Sequence, residues 1–210
     1  EEGPDSTPLR PDSPPAMKKT QSVAAALVQP YVSRHLEEDH LLTRFRPKDE
    51  TMQELWYWAK LTHLDRQPFA VPLDLSDRLT TSTEPFAIRL SFRGWSHIEN
   101  RTPSSLMDHR VEVLFNDVMV GSGEWNGQEG YQLDVRVPAK AIAPKNNVIA
   151  VRIPKRLPPP TANSQPETPA TPATPLVDVV LYNWLEVTYP RDSKIGGTEP
   201  VRLFVPSTQL

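Results

Sequence analysis

The chain has 210 residues, a length that suits one β-sandwich or one domain with tails, and its 24 prolines, about 11%, exclude a largely helical protein. Its net charge of −3 argues against a nucleic-acid-binding protein, which would normally be basic. The lack of cysteine excludes disulfides, zinc–thiolate sites, iron–sulfur clusters and a thiol nucleophile, and no apolar run approaches the ~18 residues of a membrane span.

Proline is concentrated in two segments, with five in residues 1–16 and seven in residues 155–175. We expect residues 1–30 to form a proline-rich leader and a short helix, and residues 31–210 to form a single β-sandwich domain. The Pro/Thr-rich segment 155–175 is either a linker or a protruding loop. We favour a loop, because the 35 residues after it are too few for a second domain and should pair back into the earlier sheets.

Five segments show the two-residue alternation of half-buried strands. Apolar residues alternate with mostly polar ones over 86–93, 110–115, 131–137 and 149–154. In the fifth segment, Val179, Leu181, Leu185 and Val187 share one parity while Val180, Tyr182 and Trp184 occupy the other. That pattern predicts a central strand buried on both faces, in which Asn183 needs a hydrogen-bond partner.

Weaker patterns predict five further strands, and turn residues separate the predicted strands. Asn116-Asp117 has the spacing of a two-residue hairpin, and Asn126-Gly127 closes a second bend. Residues 52–59 also fit helical spacing, but their aromatic density favours a strand. About ten short strands predict an all-β protein, a two-layer antiparallel β-sandwich of jelly-roll-like topology. The further strands are 41–46, 54–62, 69–73, 118–123 and 201–205.

Three segments together resemble the β-sandwich region that precedes the catalytic domain of gingipain-like bacterial cysteine peptidases. They are VEVLFND at 111–117, leading through Val120-Gly121 to WNGQ at 125–128, then NNVIAV at 146–151, and VDVVLYNWLEVTYPR at 177–191, which is the most specific. The first two also resemble the sugar-binding jelly rolls of glycosidases. The resemblance covers about residues 52–206.

The resemblance implies a non-catalytic neighbour of an enzyme in a secreted or cell-envelope bacterial protein. Gingipain-like catalysis uses a Cys-His pair, and this chain has no cysteine to supply the nucleophile. We therefore expect no enzymatic activity and no cofactor. The expected partner is a catalytic peptidase domain or another envelope protein, with neither nucleic acid nor a membrane span involved.

Two alternatives stay open. In a carbohydrate-binding module, flat aromatic rings stack on sugars while neighbouring polar groups hold the hydroxyls. Trp95 follows a glycine at a strand end, and Trp125 lies among polar residues at a bend, although both also suit the filling of the sandwich ends. The candidate ligand-binding residues are Trp95, Glu124, Trp125, Asn126 and Gln128.

In some gingipain-like proteins the amino-terminal domain is an inhibitory prodomain. An exposed arginine, either Arg101 or Arg156, could then occupy the specificity pocket of an Arg-directed peptidase. The cluster HLEEDH at 35–40 lacks the His-Glu-x-x-His spacing of a zinc site and indicates a solvated group of charges, so no metal site is predicted.

Overall fold

Antiparallel β-strands form the framework of the described structure. The computed structural model describes residues 30–43, 55–98, 106–157, 175–192 and 201–203. Within these ranges all strand pairs are antiparallel, and the one helical element is a 3-10 turn at Ala139–Ala141. The predicted all-β, two-layer, jelly-roll-like sandwich is confirmed. The expected leader and helix lie outside the described residues.

A large sheet contains six strands in the order β12-β1-β11-β6-β9, with β4 also paired to β11. One edge of β11 pairs with β6, and its other edge is shared between β4, opposite residues 179–182, and β1, opposite residues 184–190. The strand after the Pro/Thr segment therefore lies in the middle of this sheet. The strands are β1 (Pro30–Glu37), β4 (Ala59–Thr62), β6 (Phe86–Gly94), β9 (Gly130–Val137), β11 (Val179–Pro190) and β12 (Val201–Leu203).

A small sheet of four strands has the order β5-β10-β7-β8, and a separate two-stranded ribbon joins β2 to β3. The β7–β8 hairpin turns at Asn116-Asp117, both with positive φ (48° and 66°), which confirms the predicted two-residue turn. The strands are β2 (Leu41–Leu42), β3 (Trp56–Tyr57), β5 (Phe69–Leu73), β7 (His109–Phe115), β8 (Val118–Trp125) and β10 (Asn147–Arg152).

The core lies between the two sheets and is formed by the alternation that the sequence shows. Phe86, Ile88, Leu90 and Phe92 of β6 are all buried, and the small sheet presents the inward residues of β7 and β10. Such apolar burial contributes about 25 cal/mol per Å² to the free energy of folding. Of the segment 54–62, Trp56–Tyr57 and Ala59–Thr62 form the strands β3 and β4, as favoured over a helix, with a bend at Trp58 between them. The small sheet's inward residues from β7 and β10 are Val111, Val113, Phe115, Ile149 and Val151.

Three expectations need correction. First, β1 was not predicted as a strand, although it pairs with β11 along seven residues. Second, β7 is buried on both faces, because Glu112 and Leu114 are also covered. Third, a register irregularity against β6 between Tyr182 and Leu185 switches the parity of β11, so that its core residues are Val180 and Tyr182 and then Leu185, Val187 and Tyr189. The strand is nevertheless central and buried on both faces, as predicted.

Candidate functional site

A buried carboxylate, Asp178, joins three segments at the end of the sandwich where β11 begins. Its Oδ1 accepts a hydrogen bond from Nδ1 of His109 at 2.8 Å. Its Oδ2 accepts bonds from the backbone N–H of Arg110 at 2.9 Å and from the guanidinium of Arg156 at 3.0 Å. The side chains of Asp178, His109 and Arg156 are 1%, 0% and 13% exposed. Because a buried charge is tolerated only when it is paired, these three side chains form one unit, the Asp178 hub.

His109 is enclosed within the hub. The ring of Trp125 lies 4.9 Å from its own, centroid to centroid, and its Nε2 has no hydrogen-bond partner among the described residues. Gly94 closes over this nitrogen so tightly that a Cβ there would overlap both His109 Nε2 and the carbonyl oxygen of Gly127. A general base must come within hydrogen-bond distance of a substrate proton. The sealed His109–Asp178 pair therefore ties strands together and does not form an accessible catalytic dyad.

Asp108 fastens the loops around the hub. Its Oδ1 accepts the backbone N–H of Ile98 at 2.8 Å, and its Oδ2 accepts that of Gly127 at 2.6 Å. Its own N–H donates to the side-chain oxygen of Asn126 at 3.1 Å. Arg156 donates to the carbonyl oxygen of Asp108 at 2.7 Å. The loops that follow β6, β8 and β10 are thus held in one arrangement.

Trp125, one of the predicted sugar-binding residues, fills the end of the sandwich. It is 8% exposed, and its ring stacks on Tyr131 with centroids 4.5 Å apart and planes within 5°. Its other neighbours are His109 and, at 6.2 Å, Phe92. The ring faces that a sugar platform needs are covered by protein.

The other four predicted ligand-binding residues lie at the same end. Trp95 is 37% exposed, and Gln128 Nε2 donates to its carbonyl oxygen at 2.5 Å. Glu124 forms an ion pair with Arg110 at 3.2 Å, while Asn126 is used in the bond to Asp108. Of the two tryptophans, Trp95 is the more exposed, at 37% against 8% for Trp125.

Arg156 was expected to be exposed, and the structure corrects this. Its guanidinium donates to the carbonyl oxygens of Met107 and Asp108 at 2.9 and 2.7 Å and pairs with Asp178. An arginine held this way cannot enter a peptidase pocket without breaking the hub. Arg101, the other candidate, lies outside the described residues.

Large apolar side chains are exposed around the hub. Leu64 is 76%, Val177 60%, Leu157 58% and Trp95 37% exposed. We call these four residues the apolar end surface. The backbone segments that carry them meet beside Asp178 through three hydrogen bonds: His63 N–H to Asp178 O at 3.3 Å, Trp95 N–H to Val179 O at 3.0 Å, and Leu176 N–H to Arg156 O at 2.9 Å.

Sequence reasoning identified only Trp95 of this surface. Leu64 follows β4, Leu157 follows β10, and Val177, which adjoins Leu176, precedes β11, so each lies beside a strand end. The available signal was an apolar side chain in an otherwise polar connection. Only the pairing of distant strands brings these connections together.

The outer face of the large sheet forms a shallow groove of about 360 Å³ across β1, β11, β6 and β9. Several of its polar groups pair with one another: Arg89 donates to both oxygens of Asp134 at 2.7 and 3.1 Å, and Ser33 donates to Glu186 at 2.6 Å. The hydrogen bond from Arg89 lowers the pKa of Asp134 below its ordinary value. Arg136 also lines the groove but has no ion pair with any described residue, so the charges of this surface are only partly compensated.

A second buried carboxylate, Asp77, lies at the opposite end of β11. Its Oδ1 accepts the hydroxyl of Tyr189 at 2.7 Å, and its Oδ2 pairs with Arg34 at 3.0 Å and Arg191 at 3.3 Å. This Asp77 cluster fastens the segment between β5 and β6 to the middle of β1 and to the end of β11.

Neither a metal site nor a membrane-spanning helix is found in the described part of the chain. No three His, Asp or Glu side chains among these residues converge as metal ligands would. His35 Nε2 pairs with Glu37 and His40 Nε2 with Glu38, each at 2.9 Å, as separate exposed contacts. No helix in the described ranges is long and apolar enough to cross a bilayer.

Comparison with known proteins finds structural matches of low similarity. No protein-family model and no curated protein matches the chain. The CBM36-1 domain of a multidomain xylanase from the hindgut metagenome of Trinervitermes trinervoides aligns with a TM-score of 0.41 and 10% identity, over 74% of this chain and 96% of that domain. Dimeric latent PorU from Porphyromonas gingivalis aligns with a TM-score of 0.47 and 11% identity, over 82% of this chain but only 14% of PorU.

Proposed function

We propose that this chain is a non-catalytic accessory domain that recognises a partner protein through the apolar end surface. The observation that carries the proposal is the gathering of Leu64, Trp95, Leu157 and Val177, each at least 37% exposed, on segments that meet at one buried carboxylate. Contiguous exposed apolar surface on a folded domain is typical of a protein interface, and tryptophan is enriched among the residues that dominate binding energy.

The Asp178 hub supports this function by keeping the surface rigid. Arg156 immediately precedes Leu157, and Asp178 immediately follows Val177, so two of the four apolar residues adjoin hub residues in the chain. A surface that is already ordered loses less conformational entropy when a partner binds. The buried charges therefore act on recognition indirectly, by fixing the loops that carry the apolar side chains.

The proposed partner is the catalytic domain of a gingipain-like cysteine peptidase, and the proposed setting is an exported bacterial protein. The support is the sequence resemblance of residues 177–191 to gingipain-like proteins. These residues include Val177 of the apolar end surface and the whole of β11. In this arrangement the catalytic domain supplies the chemistry and this chain supplies a docking surface.

Binding of the purified chain to the catalytic domain of a gingipain-like cysteine peptidase from the same organism tests the proposal. We expect saturable binding by isothermal titration calorimetry, weakened at least tenfold by Leu157→Asp or Val177→Asp, because a charge would be buried in the interface. Val118→Asp is the matched control, since Val118 is 62% exposed at the far hairpin. No binding by the wild type, or equal losses in all three variants, would contradict the proposal.

Sugar recognition is a second candidate, favoured by the exposed ring of Trp95 beside the side chain of Gln128. Retardation of the chain in gels containing bacterial or plant polysaccharides would support it. The retardation should disappear in Trp95→Ala and persist in Trp56→Ala, because Trp56 is similarly exposed, at 43%, on the β2–β3 ribbon. Equal mobility of the wild type in every gel would reject sugar binding.

Inhibition of an Arg-directed peptidase is the remaining candidate, now through Arg101. Inhibition by the wild type that is lost in Arg101→Ala would support this role. Inhibition of equal strength by that variant would reject it.

A further inference from the structure

The free edge of β9 differs from the edges formed by β5 and β8 because β9 is regular and contains no proline. β9 ends the large sheet and pairs with β6 along eight consecutive residues without a bulge. No other strand in the described ranges pairs with its second edge. An open edge presents unpaired backbone N–H and C=O groups, which readily pair with another chain.

The edges formed by β5 and β8 carry features that discourage such pairing. β5 contains Pro72, which has no N–H to donate. β8 has a register irregularity against β7. Native sheets use prolines, bulges and short strands in this way to block edge-to-edge association. β9 has none of these features over Gly130–Val137.

The outward side chains of β9 also carry an uncompensated charge. Gln132, Asp134 and Arg136 alternate on the exposed face of this strand. Asp134 is paired with Arg89 of β6 on one side. Arg136 lies opposite Ala87 and has no ion pair with any described residue. One edge of the sheet thus displays an anion and an unpaired cation two residues apart.

We propose that β9 pairs antiparallel with β9 of a second copy of this chain, about a two-fold axis at Val135. In this register Asp134 of each copy faces Arg136 of the other, so the two ion pairs form symmetrically. Antiparallel strands about a dyad give the self-complementary interface of a C2 dimer, and directly opposed charges of opposite sign stabilise such pairs. The result is a continuous sheet across two molecules.

Charge selects this register over its neighbours. Sliding the pairing to place the axis at Asp134 would oppose the two aspartates, and an axis at Arg136 would oppose the two arginines. Like charges directly opposite one another destabilise a strand pair. An axis at Leu133 would leave both charges without an opposite partner on the facing strand. The axis at Val135 is the placement that satisfies Arg136.

Sedimentation equilibrium of the full chain provides the first test. An interface made by a single pair of strands is small, so we expect a weak, concentration-dependent dimer. Arg136→Asp and Asp134→Lys should each weaken self-association at least tenfold, because each places two like-charge contacts across the axis. Lys145→Asp makes the same charge change as Arg136→Asp at an exposed position outside β9 and should leave the dimer intact.

Mixing the two charge-reversal variants is the decisive experiment. Asp134→Lys and Arg136→Asp are each repelled by their own copies, but together they place opposite charges at both contacts. We expect a one-to-one heterodimer in the mixture, which also shows that both variants are folded. A wild type that stays monomeric to about 1 mM, a dimer insensitive to both reversals, or a mixture with no heterodimer would each overturn the proposal.

Discussion

The two ends of β11 are each held by a buried carboxylate, yet they support different surfaces. At Asp178 the hydrogen-bond partners are a fully buried histidine, a backbone N–H and an arginine that is 13% exposed. At Asp77 they are a tyrosine hydroxyl and Arg34, which is 27% exposed, while Arg191 forms an ion pair with the same carboxylate. Large exposed apolar side chains surround the first cluster, whereas none occurs in residues 74–79 or 187–192 around the second.

Under the proposed function, this difference distinguishes a cluster that stabilises the fold from one that also positions a recognition surface. Both clusters fix the chain by pairing charges that would otherwise be costly to bury. Only the Asp178 hub fixes segments that also place apolar residues in solvent, at some cost in solubility. A buried polar network is therefore a poor guide to function by itself, and the surface that it orders is the more informative feature.

Substitution of the two buried carboxylates should give the largest difference in stability between the two ends of β11. Asp178→Ala leaves Arg156 and His109 buried without their partner, and we expect a loss of about 3–5 kcal/mol in the free energy of unfolding. Asp77→Ala should cost less, about 1.5–3 kcal/mol, because Arg34 can turn toward water although Arg191 stays buried, whereas both His109 and Arg156 stay buried at the hub. Urea unfolding measures both. Equal losses would show that the stability of the protein depends no more on the carboxylate of the hub than on that of the Asp77 cluster.

The next largest expected effect is the loss of stability when a side chain is added at Gly94, beside His109. Gly94→Ala places a Cβ against the carbonyl oxygen of Gly127 and the imidazole, so we expect a cost of about 1–3 kcal/mol from overpacking. Gly127→Ala is the control: its φ is +71° but no atom lies within 4 Å of the added carbon, so only backbone strain of about 1 kcal/mol remains. Thermal unfolding of the two variants should rank them in this order, and the reverse order would refute close packing at Gly94.

Two tyrosines of β11 should respond in opposite ways to loss of the hydroxyl. Tyr189→Phe removes the bond to Asp77 and should destabilise the protein by about 1–2 kcal/mol. The hydroxyl of Tyr182 is buried with no hydrogen-bond partner among the described residues, and burial raises its pKa. Tyr182→Phe should therefore be neutral or slightly stabilising in urea unfolding. A large loss in Tyr182→Phe would mean that this hydroxyl is bonded after all.

The smallest expected effect is the change in stability at acid pH that arises from the Arg89–Asp134 pair in the groove. The hydrogen bond from Arg89 lowers the pKa of Asp134 in the folded state. Its contribution is therefore present above the unfolded pKa of about 3.9 and is lost as the pH falls through the lower folded value. Solvent screening keeps the contribution small, since the two side chains are 52% and 68% exposed. Unfolding between pH 5 and pH 2 should differ slightly between the wild type and Asp134→Asn, and identical curves would show the pair to be energetically silent.

Much of the fold could be predicted because side-chain alternation reports directly on burial. The inward residues of β6 and β10 follow that pattern, and positive φ at Asn116 and Asp117 matches the predicted turn. The parity of β11 could not be predicted, because an irregularity in pairing leaves no mark in the sequence. β1 was not predicted because charged residues in its carboxyl-terminal half hide the alternation of apolar and polar side chains.

The candidate site was harder to predict than the sheets. Polar residues surround Trp125 in the sequence, as they would a binding residue. In the fold, however, Tyr131 and His109 reach it from other strands and cover its ring. Arg156 begins a proline-rich segment and so suggests exposure, yet Asp178, 22 residues later, draws it inward. These outcomes depend on contacts between distant segments, which neither periodicity nor spacing encodes.

Amide hydrogen exchange of the chain, alone and with the gingipain-like catalytic domain, tests the recognition surface most directly. The proposed function predicts slower exchange on binding in residues 62–64, 95–98, 155–157 and 175–179, with no change at the far hairpin around Val118. Protection at that hairpin or on the outer face of the large sheet, with none at the apolar end surface, would contradict it.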